Sequence, residues 1–222
     1  MLYIVATPIG NIKDITLRGL EILKEVDLIL CEDTRETSKL LNHYNIKKPL
    51  LSYYREIEKK KVAKVIELLK EGKDIALVCD RGTPGISDPA YILVNEAYKN
   101  NIKVIPIPGP SALTAAMSIS GFPLNKVYFL GFLPKKENEK RKIFKELKDE
   151  TIIFFESVHR IEKTMNLLYE IMPEKEIFIG RELTKFFEEI IRGKVKEVYE
   201  IFKKAKKKGE FVIIIKGEKN GS

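Results

Sequence analysis

Short apolar runs alternate with amphipathic stretches along the first half of the chain. Leu2–Ala6, Asp27–Cys31, Pro49–Tyr53, Asp74–Cys79 and Val104–Ile107 are the length of strands and apolar enough to be buried on both faces. Between them, Asp14–Lys24, a segment through Leu40 and Leu41, Lys59–Lys70 and Tyr91–Tyr98 repeat apolar residues at helical spacing. The stripe Val62, Val65, Ile66 and Leu69 is the clearest of these, and Gly72 is a natural stop. Strands alternating with helices through residue 107 predict a parallel sheet covered on both faces.

The pattern then changes. Three prolines and a glycine in Pro106–Pro110 precede a small-residue helix, Ala112–Ser118, and Gly121–Pro123 punctuates the chain again. Beyond it, strands are expected at Lys126–Leu133, Thr151–Phe155, Glu176–Arg181, Phe186–Arg192 and Phe211–Lys216. Helices are expected at Lys135–Lys148, through Ile161, Met165 and Leu168, and at Gly193–Lys208. The Glu176–Arg181 and Phe186–Arg192 runs read as a hairpin, so this half is expected to be α+β with a mixed sheet. Two domains follow, 1–112 and 113–222, and Met165 falls at a core position.

Composition narrows the class. Among 222 residues, 44% are hydrophobic and 32% charged, with no apolar run long enough to cross a bilayer. The N-terminus reads as a strand rather than a signal peptide, so a cytoplasmic protein without membrane association is expected. Cys31 and Cys79 each end a predicted strand and read as buried free thiols. With two histidines and no Cys-x-x-Cys, no metal site is expected. A net charge of +8 favours a polyanionic partner such as nucleic acid.

Candidate chemistry collects where strands hand over to helices, the place at which open α/β sheets bind ligands. Asp80–Pro89 holds two glycines and two prolines, with Ser87 or Asp88 placed to cap the next helix and Pro89 in its first turn. Thr7–Asn11 has one glycine where a dinucleotide fingerprint needs three. Glu32, Asp33, Thr34 and Arg35 follow the second strand; they read either as site chemistry or as helix-start chemistry with Thr34 as the cap. His43 reads as a helix-end residue.

Taken together, Tyr3–Asn11, Cys31–Arg35, Asp80–Pro89, Pro106–Ala112, Phe155–Arg160, Arg181–Lys185 and Gly209–Phe211 resemble the 16S ribosomal RNA cytidine 2'-O-methyltransferases, within the tetrapyrrole-methylase superfamily. The resemblance implies S-adenosylmethionine (SAM), a two-domain α/β architecture with the cofactor in the cleft between domains, 16S RNA of the small ribosomal subunit as substrate, and a homodimer. By position it implies Pro8, Ile9, Gly10, Asp80, Gly82, Thr83, Ser111 and Ala112 beside the cofactor, with Phe155 and Glu210 closing over the adenosine. Arg81 departs from the pattern where a small residue is usual, Tyr54–Glu56 where histidine is frequent, and Val158 where proline is usual.

A ribose hydroxyl attacking a sulfonium methyl benefits from a general base. Glu32, Asp33, Glu156, His159, Glu182 and Lys185 are candidates by their placement after strands, with Arg35 beside them, and the pattern does not choose among them. Arg35, Arg81, Arg160, Arg181 and Lys185 are candidates for RNA phosphates, with Lys203, Lys204 and Lys206–Lys208 as a solvated outer run. The competing readings are a methylase of a small tetrapyrrole and a non-catalytic ribosome-assembly protein.

Overall fold

A computed structural model describes residues 1–53, 59–204 and 208–218. Tyr54, Arg55 and Glu56, and Lys206 and Lys207 of the basic run, lie outside the described residues. The chain divides into two compact units, Met1–Ser111 and Ala112–Ser222.

The first unit runs β1 (Leu2–Val5), α1 (Leu17–Glu25), β2 (Leu28–Cys31), α2 (Thr34–His43), β3 (Leu50–Ser52), α3 (Lys59–Lys70), β4 (Ile75–Leu77), α4 (Ala90–Lys99) and β5 (Val104–Ile107). Its five strands are all parallel, in the order β3-β2-β4-β1-β5. The three inner strands β1, β2 and β4 are largely buried on both faces, the edge strands β3 and β5 only partly, and alternate residues feed two cores. Leu2, Leu30, Ile75 and Leu77 pack with Val65, Ile66 and Leu69 of α3 and Leu93 of α4. Val5, Ile29, Ala76 and Val78 pack with Leu23 of α1 and Leu41 of α2. Cys31 and Cys79 are free, buried thiols, one in each core.

Helix α1 begins three residues later than the periodicity predicts. Thr16 accepts the Gly19 N–H at 3.0 Å and caps the helix, while Ile12–Asp14 forms a separate 3-10 turn. Asp33, not Thr34, caps α2, accepting the Arg35 N–H at 2.8 Å.

The second unit runs α5 (Ala112–Ser120), β6 (Val127–Phe132), α6 (Glu137–Glu146), β7 (Thr151–Ser157), α7 (Ile161–Ile171), β8 (Glu176–Arg181), β9 (Glu189–Lys194), α8 (Val195–Lys204) and β10 (Glu210–Ile215). The sheet is mixed, in the order β6-β7-β10-β8-β9, with β6 parallel to β7 and the other pairs antiparallel. Ile152 and Phe154 of β7, Ile177 and Ile179 of β8, and Ile213 and Ile215 of β10 share one core with Phe144, Met165, Leu168 and Val198 from the helices. Met165 is fully buried there, as its spacing predicts.

Two of the boundary shifts have a visible consequence for the turns. The partner of β8 starts at Glu189 rather than Phe186, because Glu182 and Thr184 take positive φ and Glu188 accepts the Thr184 N–H, which extends the turn. Gly193 and Lys194 complete β9 instead of opening α8.

Phe154 is the largest fully buried side chain of β7, so Phe154→Ala is expected to cost about 3 to 5 kcal/mol. Equilibrium unfolding in urea checks this, with the midpoint falling and the slope unchanged.

Candidate functional site

Four loops of the first unit leave the C-terminal ends of β1, β2, β4 and β5, and hydrogen bonds knit them together. Thr7 and Gly82 exchange two main-chain bonds, N to O at 2.8 and 2.9 Å. The Thr7 hydroxyl donates to Cys79 O at 3.0 Å, and the Cys79 thiol donates to Arg81 O and Gly82 O at 3.3 and 3.4 Å. Thr83 Oγ1 donates to Pro110 O at 3.0 Å, which ties the β4 loop to the β5 loop.

Glycine is required at the centre of this arrangement. Gly82 has φ +85°, and a Cβ there would sit 3.4 Å from Ile9 Cγ2 and 3.8 Å from Pro110 O. Ile9 is buried, Pro8 half-buried and Gly10 exposed. Pro8, Ile9, Asp80, Gly82, Thr83 and Ser111 therefore stand on neighbouring loops, whereas Ala112 opens α5 of the second unit. Asp88, not Ser87, holds the start of α4. Its carboxylate accepts the Gly85 and Ala90 N–H groups at 2.9 and 2.8 Å, and Pro89 precedes the helix rather than joining its first turn.

Asp80 joins the loop after β2, accepting the Asp33 N–H at 2.9 Å. Burial raises its carboxyl above the ordinary aspartate range, with the charges of Asp33 and Glu36 adding to the effect against the opposing Asp33 N–H bond. A half-buried carboxylate at a strand end can accept hydrogen bonds from a ligand hydroxyl or amine. Asp33 itself is the α2 cap and pairs with Arg35 Nη2 at 2.6 Å, so helix-start chemistry is present here but is carried by Asp33 rather than Thr34. Glu32 is exposed beside them, as is Arg81.

In the second unit most candidate acids and bases are bound to one another. Glu156 is 1% exposed; its Oε2 accepts from Lys140 Nζ at 3.1 Å and Thr164 Oγ1 at 2.7 Å, and its Oε1 accepts the Ser157 N–H and forms an ion pair with Arg160 Nε at 2.9 Å. A carboxylate so saturated is a structural anchor, which removes Glu156 from the list of bases. Lys185 bridges Glu182 and Glu210 at 2.7 and 2.8 Å, and Arg181 pairs with Glu189 at 2.7 Å. Gly209 has φ +109°, and a Cβ there would lie 2.4 Å from Glu182 Cγ. Glu182, Lys185 and Arg181 thus hold the turns around Glu210. His159 is exposed in the turn before α7, and Phe155 contacts the rings of Phe129 and Phe132. The sequence reading missed Lys140 and Thr164; the only signal was Lys140 standing four residues before Phe144 on the inward face of a charged helix.

The family profile for tetrapyrrole (corrin/porphyrin) methylases matches residues 1–199. The chain belongs to this family. Among curated relatives, a "Ribosomal RNA small subunit methyltransferase I" of Thermotoga maritima is 51% identical over 98% of each chain. Proteins of the same name from Leptospira biflexa and Bacillus subtilis are 49% and 43% identical, covering 86% and 99% of this chain and 80% and 76% of theirs. The solved structures of a diphthine synthase and a cobalt precorrin-4 methyltransferase share the tetrapyrrole-methylase fold. The first has TM-score 0.73 at 16% identity, covering 97% of this chain and 89% of its own. The second has TM-score 0.71 at 19% identity, covering 97% and 94%.

Two measurements test the electrostatics of the first-unit loops. The stability that neutral Asp80 contributes is present below its ordinary pKa of 3.8 and is lost as pH rises through the raised folded value. Asp80→Asn removes that loss, so its thermal midpoint is expected to exceed the parent's at neutral pH and to converge with it in acid. Burial pushes the Cys79 thiol up to about 12. Alkylation at about pH 8 is therefore expected to modify Cys79 only in denaturant, as read by mass spectrometry.

Proposed function

We propose that this chain transfers a methyl group from SAM to the ribose 2'-hydroxyl of a cytidine in 16S RNA of the small ribosomal subunit. The observation that carries this reading is identity of 51% over nearly the full length of a relative named for small-subunit ribosomal RNA methylation. The solved neighbours, below 20% identity, speak only to the fold, so they lend the small-tetrapyrrole alternative no further weight. Action in the cytoplasm as a homodimer belongs to the same proposal and rests on the family resemblance.

The loops fit the cofactor. Gly82 lets main chain come close to a ligand, Asp80 offers a half-buried carboxylate to a hydroxyl or amine, and the Thr83–Pro110 bond fixes the adjoining wall. Pro8, Ile9, Gly10, Asp80, Gly82, Thr83 and Ser111 would hold SAM. Bound there, it supplies a methyl group on a sulfonium, whose departure as a neutral thioether needs neither metal nor acid.

The chain's own task is then to orient a hydroxyl and accept its proton. Glu32 and His159 are the candidates for the acceptor whose side chains reach solvent, while Glu156 is buried. A base is worth roughly 10² to 10⁴ in rate, whereas fixing two reactants contributes about 7 to 11 kcal/mol. Positioning therefore supplies the larger part of the acceleration.

Incubation with labelled SAM and small subunits lacking the modification, then digestion to nucleosides, tests the reading. Label is expected on 2'-O-methylcytidine. SAM binding without transfer to subunits or to their naked RNA would shift the substrate to a small molecule; no SAM binding would make the chain non-catalytic. Gly82→Ala is expected to weaken SAM binding at least tenfold by calorimetry, because φ +85° strains any side chain at this position.

A further inference from the structure

At the ends of the parallel strands β6 and β7, a β-bulge re-aims one aromatic ring. Phe129 pairs with Ile153 and Phe132 with Phe155, so β6 spends one more residue than β7 between these pairs, and Gly131 takes φ +59° to allow it. Without the bulge, Phe132 would point to the face opposite Phe129. With it, both rings contact Phe155, at centroid distances of 5.3 and 5.6 Å. Phe132 nevertheless remains 55% exposed, with the partly buried Phe129 and Phe155 beside it.

Beside the ring stands a cation whose orientation is fixed from below. Arg160 Cζ lies 6.0 Å from the Phe132 centroid; its Nε donates to Ser157 Oγ at 3.3 Å and forms an ion pair with Glu156 Oε1 at 2.9 Å, and its Nη1 donates to Leu133 O at 2.8 Å. The side chain is 23% exposed and keeps the Nη2 donors for another acceptor. Glu156 would cancel the Arg160 charge were it alone. Lys140, 5% exposed, pairs with the opposite carboxylate oxygen at 3.1 Å and donates to Thr164 Oγ1 at 2.6 Å. Two cations against one anion leave a net positive charge, and the only member of the three that reaches solvent is Arg160.

We propose that Phe132 and Arg160 form a subsite for one nucleotide of the RNA substrate, with the base stacked on Phe132 and its phosphate on Arg160. Glu156 and Lys140 act as positioning residues. The inference rests on the RNA reading above. An open aromatic face suits an unpaired base of any sequence, and a rigid guanidinium fork suits phosphate oxygens. SAM offers a base but no phosphate, so the pairing of these two groups favours the polynucleotide over the cofactor.

Glu156 and Lys140 are buried, and their replacement can unfold the unit, so the test uses Phe132 and Arg160. Affinity for unmethylated 16S RNA is measured by filter binding across a salt series, and affinity for SAM by calorimetry, for Phe132→Ala, Phe132→Tyr, Arg160→Ala and Arg160→Lys. Phe132→Ala is expected to weaken RNA binding about tenfold with an unchanged salt slope, and Phe132→Tyr to restore it. Arg160→Ala is expected to reduce the slope of log affinity against log salt by about 0.7, the share of one single-strand phosphate, and Arg160→Lys to retain the slope at lower affinity. SAM affinity is expected to be unchanged in all four. Loss of SAM affinity with intact RNA binding in Phe132→Ala, or an unchanged slope in Arg160→Ala, would overturn the proposal. A parent chain that binds SAM but not RNA would instead remove the functional reading on which it stands.

Discussion

The two main-chain hydrogen bonds between Thr7 and Gly82 are the constraint on which the first unit's loops depend. β1 and β4 are parallel neighbours, yet just beyond their ends Thr7 and Gly82 pair in the antiparallel sense. One loop must therefore turn back on itself, and the positive φ of Gly82 lets the β4 loop do so. The reversal is stapled by the Thr7 hydroxyl and the Cys79 thiol, which donate to the Cys79 and Arg81 carbonyls, and the thiol also reaches Gly82 O, already bonded by the Thr7 N–H. Asp80 projects from this staple, so its half-buried setting follows from backbone geometry and not from any charge partner.

The second unit solves the same problem with charge. There the strand ends are tied by ion pairs: Glu156 with Lys140 and Arg160, Lys185 with Glu182 and Glu210, Arg181 with Glu189. Partly exposed pairs such as Lys185–Glu210 contribute little stability, whereas a saturated buried carboxylate is costly to disturb because a lone charge would remain inside. The consequence is specificity of geometry in turns that contain left-handed residues, Glu182 and Thr184 among them.

That difference explains what the sequence made legible. The parallel sheet, the mixed sheet and the glycine-rich loops could be read because period, run length and glycine placement are local properties of the chain. The roles of individual acids could not. Glu156 looks as reactive as Glu32 in the sequence, because its side-chain partners lie 4 to 16 residues away, on α6, on α7 and in the turn before α7. Lys140 was hidden among the other lysines of a charged helix, with only its register to Phe144 marking it as inward-facing. Phe186 was misplaced into a strand since left-handed residues upstream of it are neither glycine nor asparagine, the types that usually announce such a turn.

The bulge in β6 shows how little sequence separates a core ring from a binding ring. Strict alternation would give Phe132 the orientation of Leu130, which packs toward the helices; one inserted residue and one glycine give it that of Phe129. Burial then accounts for the residue only in part, since it is more than half exposed with the Arg160 guanidinium 6.0 Å from its ring centre. An exposed ring and an uncancelled charge side by side suit one ligand that carries both a flat apolar face and an anion.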